Sequence, residues 1–539
     1  MSSHSGPVVH HGARIFTADP DRPWAEAVVV HDGRIVHVGD LDSARTAAGG
    51  AAELVDVGGA LVLPGFVDAH AHVLMAGEAQ LRAHLTDAAD LTEISQRLLT
   101  WAKANPDAPR VLGQGWLFSA VPDGRPTRQM LDAVIPDRPV HLDANDYHSC
   151  WVNTAALREL GITDDTPDPV GGRIVRDAHG EATGHLEETA AQTIAWPFLA
   201  AASTDQDRDR WLRAATTAYT GSGVTTAVDM ALDEDSLAAM TRALDAGTLG
   251  MRIVAHWLVP RPGSTEDHLA QVARAAELAR THADDRLRIT GIKIVVDGVI
   301  DGCTAAMLDP YADGSTAEPI WDLDALAPVV TAADAAGLQI AMHAIGDAAV
   351  RIALDALEHA ADANGPRADR RHRIEHLEYV DPADVPRLAR LGVTASMQPV
   401  HCDPAIMPNW IARLGDHRVQ RGFAWPEITA TGAVLAFGTD APTAPHQPLH
   451  NMYVAHTRRS ALQAGLDPFL PHFALPLMEA VVHGTRDAAW ACRAEHRIGT
   501  LREGMTADFV VLDVDPFESD PEALLHAEVL RTVIGGVPA

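Results

Sequence analysis

The sequence predicts an α/β fold. The expected architecture is a (β/α)8 barrel of the TIM type, with a large insertion after its first strand and a small β-sandwich formed from both chain ends. Three observations carry this. Short apolar runs alternate with helical stretches through the middle of the chain, the pattern of a parallel sheet. Both ends carry short β-like runs punctuated by turns. The gap between the first two strands of the alternating series is far longer than a βα loop needs.

The N-terminal runs are Val8-Val9, Ala13 to Thr17, Ala27 to Val30 and Ile35 to Val38, with Asp32-Gly33 as a hairpin turn. Glu53 to Val57 and Ala60 to Leu63 follow, and Ala507 to Asp513 and Val529 to Ile534 return to the same character. Residues 1–63 and 495–539 are therefore expected to meet in one composite β-sandwich. Residues 64–494 make the barrel.

The first barrel strand is Leu63-Pro-Gly-Phe-Val-Asp-Ala-His-Ala-His72, and seven further candidates follow. They run over 223–230, 251–257, 291–297, 338–343, 373–379, 392–398 and 433–440. Helical stretches between them include His268 to Ala283 and Asp347 to Ala363, rich in Ala, Leu, Arg and Glu. Residues from about 78 to 215 form the insertion, expected to cover the active-site mouth. Its turn signals are Pro122-Asp-Gly124, Pro167-Asp-Pro169 and Gly171-Gly172.

Composition narrows the class. A net charge of -31 argues against nucleic acid or an anionic membrane as partner. No apolar run is long enough to span a bilayer, and the first residues carry no signal segment. Cys150, Cys303, Cys402 and Cys492 are too scattered for a disulfide framework or a zinc knuckle. The expectation is a cytoplasmic protein acting on a small molecule, able to pair as a homodimer.

Active sites of such barrels lie at the C-terminal strand ends. The polar residues there are His70 and His72 on strand 1, Lys293 on strand 4, His343 on strand 5, His376 on strand 6 and Asp440 on strand 8. Residues two apart on a strand share a face, so His70 and His72 can aim at one metal ion. With 28 histidines in the chain, one His-x-His is expected about once by chance, so the context carries the reading. Singly, His343 could be a hydrogen-bonded core histidine and Asp440 could cap a turn. Together, four histidines, a lysine and an aspartate suit one or two divalent ions, zinc first among them.

His372-Arg-Ile-Glu-His376 also fits the His-x-x-Glu-His pattern of inverted zinc proteases, which needs a helix. The segment is short and runs into Asp381-Pro382, so a strand is expected, with His372 at its entrance. Lys293 stands out differently. Lysine occurs only at Lys103 and Lys293 in a chain otherwise served by arginine. A lysine can lose its proton and react with carbon dioxide to give an anionic carbamate that bridges two metals, which arginine cannot readily do. The competing expectation is a structural lysine paired with Asp297 or Asp229.

These motifs resemble the amidohydrolase superfamily, in the branch that includes N-substituted formamide deformylases. The resemblance rests on Pro64 to His72, Gly291 to Gly298 with Thr304-Ala-Ala306, His343-Ala-Ile-Gly-Asp347, His372 to His376 and Phe437-Gly-Thr-Asp440. In the insertion it rests on Gly113-Gln-Gly-Trp116, Asp146-Tyr-His148, Trp151-Val-Asn153 and Thr183-Gly184 with Glu187. It implies one metal on His70, His72, the Lys293 carbamate and Asp440, and another on the carbamate, His343 and His376. A hydroxide whose pKa the metals lower would attack a carbonyl, with Asp440 moving the proton to the leaving nitrogen. His148 would be the donor to the carbonyl oxygen. Glu187 is an alternative bridge, because some relatives use a glutamate. The chain departs from the branch at Asp301-Gly302-Cys303, where an arginine is common before Thr304.

The implied reaction is metal-dependent hydrolysis of a C–N bond in an N-acyl or N-formyl amine. Trp116, Asn153 and Cys303 are the expected substrate-binding residues, though Cys303 could equally be a small buried apolar residue. Two other readings stay open: a single-metal deaminase on the same barrel, and a non-catalytic binding protein that has lost ligands.

Overall fold

The computed structural model describes residues 6–50, 52–145, 149–169 and 172–539. The chain forms two compact units, Leu74–Ala215 and the remainder.

The larger unit holds the barrel. Its strands are Phe66–Ala71 (β1), Val224–Leu232 (β2), Arg252–Leu258 (β3), Leu287–Val295 (β4), Gln339–Ala344 (β5), Arg373–His376 (β6), Thr394–Met397 (β7) and Leu435–Phe437 (β8). They pair in sequence order, and every ladder is parallel. Thr265–Thr281 and Asp347–Asn364 are among the intervening helices. Between β8 and β1 the ring closes through the loop after β8. Asp440 N donates to His70 O at 2.7 Å, and His72 N donates to Ala441 O at 3.0 Å. Glycine makes this approach possible: a Cβ on Gly438 would lie 2.3 Å from His70 N.

Two barrel elements differ from expectation. The sixth strand stops at His376 rather than Tyr379, because His376 and Leu377 take positive φ values of 78° and 50°. His72 lies one residue beyond β1.

The chain ends share one eight-stranded sheet. Its path runs Val537–Pro538, Val529–Ile534, Phe509–Leu512, Leu61–Pro64, Val8–Phe16, Trp24–His31 and Arg34–Gly39, with Glu53–Asp56 also on Val8–Phe16. A sandwich was expected, but hydrogen bonding joins all these strands into a single sheet. One face packs Ile15, Val28, Val30, Phe509 and Val533 together. The other sets Val9, Ala27 and Val29 against Ala44 of the helix Leu41–Ala48. Val8–Phe16 is one strand, not two short ones. Its register shifts between His11 and Ile15, and Gly12 there takes a φ of 88° with its face against the Asp56 carboxylate. The Arg252 guanidinium at the start of β3 donates to both Asp508 oxygens, at 2.8 and 3.1 Å, which fastens this sheet to the barrel.

The unit Leu74–Ala215 has its own six-stranded sheet, ordered Gly172–Arg176, Ala182–Glu188, Ser149–Val152, Val140–Ala144, Val111–Trp116 and Ala83–His84. Separate apolar clusters serve it, one built around Trp116, Trp151 and Leu142, the other around Cys150, Leu186 and Ala191. Among the described residues, no helix is long and apolar enough to cross a membrane.

Candidate metal centre

The barrel brings His70, His72, Lys293, His343, His376 and Asp440 to the C-terminal ends of its strands, though they come from elements up to 370 residues apart. Ring centroids separate His70 from His72 by 5.5 Å, His70 from His376 by 4.9 Å and His343 from His376 by 4.4 Å. The sequence grouped His376 with His343; in the fold it also stands beside His70. One ligand atom each from His70, His376 and Asp440 lies within 4.8 Å of the others, and all three residues are buried.

Three of the four histidines are held through one nitrogen, while the buried Nδ1 of His72 has no hydrogen-bond partner. His70 Nδ1 donates to Glu375 Oε2 at 2.7 Å, leaving Nε2 for a ligand. His376 Nδ1 donates to Gln398 Oε1 at 2.8 Å, again leaving Nε2. His343 Nε2 donates to the Gly298 carbonyl at 3.1 Å, leaving Nδ1. Such partners fix the tautomer and aim the ring. Burial, helped by the Lys293 charge, lowers the His343 pKa to about 3, and burial first of all keeps His376 well below the usual imidazole value. Both rings are therefore neutral, the form a metal requires.

The donor set fits a cation. Asp440 Oδ1 is buried and has no hydrogen-bond partner, yet His70 Nε2 and His72 Nε2 lie 3.3 and 3.0 Å away. Lys293 Nζ is 3.4 Å from His70 Nε2. Metal–ligand bonds of about 2.1 Å in tetrahedral array put ligand atoms about 3.4 Å apart. The spacings between these atoms are those of ligand atoms around one such ion. Asp440 and His376 also take left-handed φ values of 60° and 78°. For non-glycine residues that conformation is strained, and such strain concentrates at functional sites.

Lys293 is 2% exposed, and among the described residues its ammonium meets His70 Nε2 and no carboxylate. The two structural partners weighed for it are engaged elsewhere. Asp297 accepts from the backbone N–H groups of Ala306, Ile345 and Gly346, and Asp229 from those of Val73 and Ala231. Burial lowers the Lys293 pKa, against the pull of Glu375 and Asp440.

Several expected site residues take other roles. Trp116 is fully buried in the core of its own unit, its indole N–H donating to Leu142 O at 3.0 Å. Asn153 caps the helix Thr154–Glu159. It accepts from Ala156 N and Val140 N and donates to Ile135 O and Arg138 O, which uses its whole amide. Neither has a group left for substrate, which corrects the substrate-binding assignment of both. Glu187 pairs with Arg173 at 2.8 Å within the Leu74–Ala215 unit. Cys303 is half-buried in the loop after β4 with a φ of 54°. His148 lies outside the described residues, as do Asp146 and Tyr147. His372 is structural: it accepts from Ile340 N and meets Asp334 at 3.1 Å.

Sequence reasoning missed Glu375, Gln398 and His401. Glu375 sat inside a motif already singled out. His401 follows strand 7 directly, in the turn Pro399–Cys402. Burial works against a charge on His401, but the Glu378, Asp440 and Asp301 carboxylates together raise its pKa above the ordinary value.

The Amidohydrolase family profile matches residues 53–539. The chain belongs to the amidohydrolase family. It is 32% identical to the Bacillus subtilis (strain 168) protein named "Putative amidohydrolase YtcJ", with 98% of each chain covered. It is 28% identical to the N-substituted formamide deformylase of Arthrobacter pascens, covering 97% of this chain and 96% of that one. The crystal structure of an uncharacterized metal-dependent hydrolase from Pyrococcus horikoshii superposes with a TM-score of 0.79 at 25% identity, covering 96% of this chain and 99% of the other. Membership in the amidohydrolase family agrees with the resemblance read from the sequence motifs.

Proposed function

We propose that this amidohydrolase is a metal-dependent hydrolase that cleaves the C–N bond of an N-acyl or N-formyl amine. The observation that carries the reading is the convergence of the His70, His376 and Asp440 ligand atoms, with Asp440 Oδ1 buried and unbonded among histidine nitrogens. The likeness to a metal-dependent hydrolase and to a formamide deformylase supports it.

His70, His72, His343, His376 and Asp440, with Lys293 as its carbamate, would hold one or two divalent ions, and zinc suits this histidine and carboxylate set. When bound, the metal supplies Lewis-acid polarisation of the scissile carbonyl and a lowered pKa for the attacking water. Lys293 favours the carbamate because its amine is buried and lacks a carboxylate partner. The amine nitrogen would bond to the carbon of carbon dioxide and release a proton. Asp440 carries the proton traffic. Burial opposes its ionisation, but His70 and His72 hold its pKa well below the usual carboxylate range, so it starts as an acceptor. It takes a proton from the attacking water and returns it to the leaving nitrogen.

A one-metal deaminase is the second reading, favoured by the single His70, His376 and Asp440 cluster. In that reading Lys293 is structural, held by His70, and His343 or His376 is catalytic. A binding protein derived from this fold would be expected to have lost ligands, and all six positions are filled.

The test is amine release from a panel of N-formyl and N-acyl amines by zinc-loaded protein. Turnover that disappears in Asp440→Asn supports the reading. Ammonia release from amino-substituted heterocycles, with no amide turnover, would replace it by the deaminase.

A further inference from the structure

Asp440 turns its two oxygens to different sides. Oδ1 faces His70 and His72, while Oδ2 faces His401 Nε2 at 3.5 Å. His401 lies in the turn Pro399–Cys402, just past the C-terminal end of β7, so it emerges at the same barrel end as the other site residues. Its ring lies parallel to that of His376, 5.7 Å away with 6° between the planes. It is not one of the three residues whose ligand atoms cluster.

The ring lies between two carboxylates. Nδ1 faces Glu378 Oε1 at 3.7 Å. Glu378 is anchored in turn, its Oε2 accepting from the indole N–H of the fully buried Trp410 at 2.9 Å. Nε2 is buried and has no hydrogen-bond partner, a costly state for a polar atom unless something else meets it. Nδ1 thus faces the carboxylate that orients the ring, and Nε2 is turned toward Asp440 with no hydrogen bond of its own. A donor beside the proton-carrying carboxylate is placed where the carbonyl oxygen of a bound amide needs one.

We propose that His401 is a substrate-contacting catalytic residue whose Nε2 donates to the carbonyl oxygen of the scissile amide, with Glu378 as its positioning residue. This rests on the proposed amide hydrolysis. It gives His401, on the barrel itself, the role that the sequence assigned to His148.

The experiment compares wild type, His401→Ala, His401→Gln and Glu378→Gln, each zinc-loaded. It reads metal content, amide turnover and the affinity for acetohydroxamate, a carbonyl-bearing metal chelator. The expected result is metal content equal to wild type in all variants. His401→Ala should lose about 100-fold in turnover and about tenfold in acetohydroxamate affinity. His401→Gln, which keeps an N–H donor, should recover part of both, and Glu378→Gln should shift both the same way by less. Wild-type turnover and acetohydroxamate affinity in His401→Ala and His401→Gln would overturn the proposal, and so would loss of bound metal in both. If wild type hydrolyses no amide while acetohydroxamate affinity still depends on His401, the substrate reading fails and the contact stands. If amides are hydrolysed and neither readout depends on His401, the contact fails and the hydrolase stands.

Discussion

His70 Nδ1 lies 2.7 Å from Glu375 Oε2, with both side chains fully buried and the two residues 305 positions apart in the chain. Glu375 is held in turn by Arg373, whose guanidinium donates to both of its oxygens and to the Ala69 carbonyl on β1. Burial opposes the charge, yet Arg373 and His70 keep the Glu375 pKa well below the carboxylate range. Strand β6 thus sets the angle of a histidine on β1.

Glu375→Gln should therefore weaken zinc binding about 10–100-fold, the usual effect of losing a carboxylate behind a ligand histidine. Competition with a chelator measures it. Unchanged affinity would mean that His70 needs no such support.

Gly438→Ala should damage the site without touching a ligand. The new methyl would meet His70 N and Cβ, forcing β8 away from β1. Overpacking of this kind costs about 1–3 kcal/mol. A lower melting temperature together with reduced metal content is expected; a melting temperature equal to wild type would show that the seam relaxes freely.

Asp334 predicts a pH dependence of stability. It is fully buried and accepts from Asn364, Arg367, Arg370 and His372. Burial raises its pKa, but His372, Arg370 and Asn364 outweigh this and hold it far below the ordinary value. A depressed native pKa stabilises the fold fully above the unfolded value of about 3.9, and this is lost as pH falls through the native value. Asp334→Asn should destabilise by about 3 kcal/mol at pH 7. The gap to wild type should narrow below about pH 4. Thermal melts at pH 7 and pH 3 test this, and an equal gap at both would contradict it.

Trp116→Ala should cost about 3–5 kcal/mol as a large core truncation. Its main effect belongs in a melting transition, not in substrate affinity. A raised KM with an unchanged melting temperature would restore Trp116 to the substrate pocket.

The barrel was legible because strands and helices differ in hydrophobic period, and because polar residues at strand ends stand out against apolar runs. Strand ends were harder. Nothing in Glu375-His376-Leu377 announces two consecutive left-handed residues. Residue type also misled at Trp116 and Asn153, since aromatic and amide side chains serve a buried framework as readily as a ligand. Asn153 before Thr-Ala-Ala did carry a helix-cap signal that could have been weighed. Glu375 and His401 acquire their roles from partners on distant strands, information that spacing along the chain does not hold.

The most direct test of the central claim is metal content per chain by mass spectrometry, on protein purified with zinc and bicarbonate beside the Lys293→Ala variant. The account predicts about two ions per wild-type chain and fewer in the variant. One ion, retained unchanged in the variant, would contradict the bridging lysine; no ion in either protein would contradict the metal-dependent hydrolase itself.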